Sequence, residues 1–143
     1  GTEINAVFRW DDFKIFLGYT HADVEENTIG GVESAPLVPK DRLNSVFVYE
    51  REDDIRIGLE AYYYGRQELT SGAKSRDYWI FGLMIEKSFS DKFSLFINFE
   101  NFTDTRQTRY GSINSGTLAS PVFADIFAPL DGYVANGGIK LRF

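Results

Sequence analysis

Hydrophobic residues recur at every second position along most of this chain. Side chains of an extended strand point alternately to opposite faces, so such a pattern writes strands with one apolar and one polar face. "EINAVFRW" sets Ile4, Ala6, Phe8 and Trp10 on one face against Asn5, Val7 and Arg9. "FKIFLGYT" continues with Phe13, Ile15, Leu17 and Tyr19, and "RLNSVFVYER" with Leu43, Phe47 and Tyr49. In "IRIGLEAYYYG" the row is Ile55, Ile57, Leu59, Ala61 and Tyr63; in "YWIFGLMIEKSF" it is Trp79, Phe81, Leu83, Ile85 and Phe89. "FSLFINFEN" offers Phe93, Leu95, Ile97 and Phe99, and the closing segment Tyr133, Ala135, Gly137, Ile139, Leu141 and Phe143. The pattern predicts an all-β, antiparallel up-and-down meander of about seven strands and no convincing helix.

The connections sort by length. Tight turns are predicted at Asp11–Asp12, Asp53–Asp54 and Ser90–Asp91, whereas long polar segments run from about Glu25 to Asp41, Glu68 to Asp77 and Thr103 to Asp131. In a meander alternate connections lie at opposite ends, so all short turns share one end and all long loops the other. Transmembrane β-barrels sort their loops this way, with short periplasmic turns and long extracellular loops. The aromatics sort too. Trp10, Phe13, Tyr49, Phe89, Phe93 and Phe143 stand near the turns, and Tyr19, Tyr63, Trp79, Phe99 and Tyr133 toward the loops, with aliphatics between. Two aromatic girdles flank the apolar band of such barrels. The stretch between girdles is about ten residues, ~33 Å of strand, or ~25 Å of height once tilted.

The opposite row (Lys14, Arg56, Glu60, Asn98, Glu100, Lys140 and Arg142, among glycines) suits the wall of a lumen. The alternative is a soluble, lipocalin-like ligand-binding β-barrel with the apolar row inside. Alternation alone does not separate the two; loop sorting and the girdles favour the membrane.

Composition closes other routes. Aromatics make up 16% of the 143 residues, and 15 Lys plus Arg stand against 21 Asp plus Glu, a net charge of −6. That balance argues against nucleic acid, whose phosphates call for a basic stripe. With no Cys and one His, thiolate and multi-His metal sites are excluded. The longest nearly continuous apolar stretch, Tyr78 to Ile85, is far short of the ~18 residues of a spanning helix. No initiating Met or leader pattern opens the chain, so a mature product or excised piece is expected.

With the strands placed, the chain resembles the C-terminal β-barrel segment of a TonB-dependent outer-membrane receptor. "PKDRLN" resembles that family's Pro-containing entry to a descending strand, and "GLEAYYYGRQ" its aromatic ascending strand. "NFENFTDTRQTRYG" resembles its Asn-apolar-x-Asp segment, matched by Asn101, Phe102, Thr103 and Asp104. "NGGIKLRF" resembles the β-signal read by the barrel assembly machinery, with Asn136, Gly138, Leu141 and Phe143 in its slots. "APLDGY" stands where the family usually has a Pro-Arg pair.

The resemblance implies that residues 1–143 form one unit, the last strands of a barrel of about twenty-two, with the plug and the TonB-contacting part outside it. It implies a place in the outer membrane of a Gram-negative bacterium, contact with lipid, and gated import of a scarce nutrient. The cargo would be a siderophore, glycan or similar small molecule, met first by the long loops. An isolated segment, with two unpaired edges and an apolar outward face, is expected to self-associate; light scattering without detergent is the measurement.

No catalytic residue, cofactor or metal site is assigned. His21 stands near Asp23, Glu25 and Glu26, which would suit a hard cation, but clustered loop acids are ordinarily solvated. Glu60 and Glu100 form a carboxylate pair on the lumen row, where a structural role outweighs a catalytic one. "NFT" at Asn101 matches a glycosylation sequon only as a common pattern.

Overall fold

A computed structural model describes residues 1–143. Seven antiparallel strands form one open sheet: β1 (Thr2–Trp10), β2 (Phe13–His21), β5 (Asp41–Arg51), β6 (Ile55–Tyr64), β7 (Tyr78–Ser90), β8 (Phe93–Glu100) and β9 (Val134–Leu141). They lie in that spatial order, so each strand pairs with its sequence neighbours in the sheet, and β1 and β9 each keep one unpaired edge. This is the expected antiparallel up-and-down meander of seven strands.

The registers carry the alternation across the sheet. Ile15 faces Phe8 and Phe47; Leu59 faces Phe47 and Leu83; Ile97 faces Ile85 and Gly137. A one-residue slip would throw these rows to the other face, so the pattern itself pins the pairing. Only 13 of 143 residues are buried and no side chain is fully so. Fifty-nine of the 80 backbone hydrogen bonds lie within the strands, so the sheet is held by its ladder and not by a core. Leu17, Leu59 and Ile97, all on inner strands, remain about 40% exposed on the apolar face. A closed lipocalin-like barrel would bury that row; this open sheet leaves it uncovered, which does not favour the soluble alternative.

Ion pairs knit the other face. Lys14 reaches Glu50 at 2.8 Å, and Lys140 reaches Glu86 at 2.8 Å across the intervening β8. Strands two apart lie ~9.5 Å from one another, a gap that the long Lys140 and Glu86 side chains close between them. This charged face is the lumen row expected from the sequence.

Several details depart from expectation. The Glu25–Asp41 segment is no plain loop: β3 (Glu25–Thr28) and β4 (Gly31–Ser34) form a separate hairpin in it, which brings the chain to nine strands. The 103–131 segment holds one 3-10 turn, Gln107–Arg109. Ser90 still belongs to β7, and the third turn is Asp91–Lys92, because a register shift between Ser88 and Ser90 lets the strand run on. Asp11 and Asp53 sit at φ 46° and 57° in the other two turns, a left-handed region that Asp tolerates better than most residues. The last strand does not reach Phe143. It ends at Leu141, with one further bond from the Arg142 amide to the Lys92 carbonyl at 2.9 Å. Tyr133 likewise lies just outside β9.

Candidate functional site

All three long connections, residues 22–40, 65–77 and 101–133, stand at one end of the sheet. Most of the buried residues gather there. Gln67, Ser75, Tyr78, Asn101, Thr105, Gln107 and Ala128 form a small polar core under the loops.

Asn101 starts the longest loop. It adopts φ 48°, its Oδ1 accepts the Thr105 amide at 2.9 Å, and its Nδ2 donates to the Thr105 carbonyl at 2.8 Å. The side chain thus imitates a strand neighbour, and Thr105 Oγ1 donates to the Trp79 carbonyl at 2.7 Å, which ties the turn to β7. Both polar atoms of Asn101 are engaged and the residue is buried, so the sequon there is a chance match. Asp104, at φ 56°, accepts from Arg106 at 2.9 Å and Arg109 at 2.5 Å. Desolvation opposes its ionisation, but the Arg109 hydrogen bond and the two guanidinium charges outweigh that and hold its carboxyl below the usual range.

Gln107 fastens the rest of the loop. Its backbone amide donates to the Pro129 carbonyl at 2.7 Å, and Nε2 donates to the Asp125 carbonyl at 2.9 Å. Its Oε1 accepts the Phe127 and Ala128 amides at 3.2 and 3.0 Å. The 65–77 connection docks on the same segment. The Thr70 amide donates to Asp125 at 2.7 Å, and Gln67 Nε2 and the Tyr78 hydroxyl donate to the Phe127 carbonyl at 3.0 and 2.9 Å. Two loops are thereby one body.

Below them the lumen wall is aromatic. The Arg42 guanidinium lies 5.7 Å from the Tyr64 ring centroid, and Tyr64 stacks on Tyr78 at 5.0 Å. Tyr110 follows at 6.5 Å from Tyr78, and Phe127 at 6.0 Å from Tyr110. Tyr78 is buried within this row, which leaves the uncovered parts of Tyr64 and Tyr110 and the Arg42 cation to meet a planar or aromatic molecule. Glu60 and Glu100 share a recess of about 380 Å³ with Tyr62, Gly82 and Asn98. Glu60 accepts from the Tyr62 hydroxyl and Glu100 from Asn98, each at 3.0 Å, as wall carboxylates would. His21 turns away from the loop acids to Asp41, at 2.8 Å, while Asp23 pairs with Lys40 at 2.6 Å.

The four residues of the β-signal resemblance do not converge. Asn136 and Gly138 are on the lumen face, Asn136 opposite Asn98, while Leu141 points outward opposite Phe93 and Phe143 lies exposed beyond the strand. Gly138 has a packing role of its own. A Cβ there would lie 2.7 Å from the Phe96 ring, which covers the glycine. Gln107, Arg42 and Tyr78 were not singled out from sequence. The signal for two of them was there: Arg42 and Tyr78 belong to the inward set at the loop end.

No family profile matches this chain, and no curated protein does. Solved structures do. A point mutant of the ferric enterobactin receptor PfeA from Pseudomonas aeruginosa superposes with TM-score 0.75 at 21% identity, covering 99% of this chain and 22% of that one. The fold is that of a β-barrel wall. A second mutant of the same receptor, in complex with enterobactin, gives TM-score 0.68 at 20% identity, with coverages of 96% and 21%. The receptor in complex with BCV-L6 gives 0.63 at 21% identity. This chain therefore spans about a fifth of the receptor it matches.

Proposed function

We propose that the chain is the C-terminal wall of a TonB-dependent receptor in the outer membrane of a Gram-negative bacterium, importing a scarce small-molecule cargo. One observation carries this: a single sheet with an apolar row on one face, the charged row with Lys14–Glu50 and Lys140–Glu86 on the other, and every long connection at one end. Only a wall between lipid and a wet lumen has use for all three. TonB would engage parts of the receptor outside this chain.

The matched receptor binds enterobactin, and the Arg42–Tyr64–Tyr78–Tyr110 wall supports a chelate with planar aromatic groups over a glycan as cargo here. The test is uptake of labelled ferric enterobactin by cells carrying the intact receptor, with other metal chelates and oligosaccharides beside it. Shortening 22–40 and 101–133 should abolish uptake, and Tyr64→Ala should weaken it. Undiminished uptake of the transported compound by the shortened receptor would overturn the reading.

We propose further that Asn136, Gly138, Leu141 and Phe143 serve as a signal to the barrel assembly machinery. Packing and labelling are separable. Gly138→Ala forces a methyl into the Phe96 ring and should slow folding in vitro, and the added Phe96→Ala change should restore it. Deleting the exposed Phe143 should leave folding into vesicles intact yet lower the amount of receptor in the outer membrane. Normal levels after the deletion would remove the labelling role.

A further inference from the structure

Apart from the small, uncharged Ser45, the outward row is polar only at strand ends and at one interior position. Asp41 and Arg51 are terminal residues of β5, whereas Lys87 lies inside β7, paired with Ile55 and Leu95. It stands just inside the Phe89 and Phe93 rings, which meet at 5.5 Å at the turn end. Its ammonium is bonded to the Asp54 carboxylate. Asp54 faces Arg51 at 3.8 Å, and Arg51 faces Asp12 at 3.9 Å. The result is a line of alternating charge, Lys87, Asp54, Arg51 and Asp12, at the level of the aromatic girdle, with every side chain at least a third exposed.

An apolar groove of about 450 Å³ opens beside it, bordered by Ile85, Phe89, Leu95, Ile97 and Ile139 and reaching Lys87. A lone lysine near a membrane interface needs only to extend toward water. That need explains neither a second cation and a second carboxylate in series nor the groove.

We propose that this is the seat of one zwitterionic phospholipid with a primary ammonium head, drawn from the leaflet at the turn end. One acyl chain lies in the groove, the phosphate meets Lys87 and Arg51, and the ammonium meets Asp54 and Asp12. An anionic phospholipid would satisfy the cations but leave both carboxylates facing negative charge. The inference rests on the transmembrane reading above. Exposed pairs contribute little each, so the effect is selective retention of one lipid.

Native mass spectrometry of the intact, delipidated receptor, titrated with phosphatidylethanolamine and phosphatidylglycerol of matched chains, tests it. The expected result is one retained phosphatidylethanolamine, favoured roughly fivefold over phosphatidylglycerol. Lys87→Met and Asp54→Asn should lose the preference, and Ile139→Trp should lose the lipid by filling the groove. Lys140→Met, which removes a charge from the lumen face, should change nothing. If Lys87→Met fails to insert, Lys87→Arg should retain the lipid while Ile139→Trp does not. Equal retention of the two lipids by the wild type, or retention that survives Ile139→Trp, would overturn the proposal. A receptor found in the soluble fraction fails the membrane reading itself; one that inserts but holds no preferred lipid fails only this inference.

Discussion

Leu83→Arg should lower the stability of the receptor barrel in lipid vesicles by ~2–4 kcal/mol, the cost of a guanidinium at mid-depth on a lipid-facing strand. Leu83 stands between Leu59 and Phe99 in register, near the middle of β7 and well inside both aromatic girdles. No carboxylate on that face is within its row to receive the charge. Asn98→Arg provides the contrast. Asn98 is on the lumen face beside Glu60 and Glu100 in their shared recess, where a cation meets two carboxylates and water. Its effect should stay within about 0.5 kcal/mol. Urea unfolding of both variants in vesicles is the measurement, and equal costs would show that the apolar row does not face lipid.

Gln107→Ala should release the loop cap while leaving the sheet intact. The substitution strips the partners of the Phe127 and Ala128 amides and the Asp125 carbonyl, in a site where Gln107 itself is only 3% exposed. Groups left unpaired under cover cost about 1–3 kcal/mol each, less where water can enter. Amide exchange across 125–128 should quicken roughly a hundredfold, while amides of β6 and β7 keep their protection. Because Thr70 and Gln67 bond the same segment, the 65–77 connection should loosen with it. Gln107→Glu keeps the acceptor and loses the Nε2 donor, so it should fall between. Unchanged exchange in Gln107→Ala would mean that the cap is held elsewhere.

These two positions differ in how visible they are from sequence. Leu83 belongs to a row spelled out by strict alternation, and a period of two has only one physical realisation in an extended chain. The same logic made the registers legible, since Leu59 opposite Leu83 and Phe47 follows once apolar faces must coincide. Loop sorting needed only the order of short and long connections. Gln107 carries no periodic signal. Its importance comes from a meeting of residues 101–110 with 125–129 and 65–78, and polar loop contacts at such separations leave no mark on local sequence.

The limits of the alternation show at its ends. Phe143 continues the written pattern, yet the strand stops at Leu141, because Phe93 opposite it is the last residue of β8 at the turn end. The β3–β4 hairpin went unread because "EENT" carries charge on both faces and "GVES" offers a single apolar side chain, Val32. Which face meets lipid was also undecided by alternation, which reports only that two faces differ. By itself the sequence determined strand count in the sheet, order, register and the segregation of loops, all consequences of backbone geometry acting on a two-residue period. Only the tertiary structure decided that Lys140 reaches Glu86 across β8, that Phe96 rests on Gly138, and that two long loops close into one body through Gln107. Each of those depends on side chains from distant segments meeting within hydrogen-bond or van der Waals reach, which no local pattern encodes.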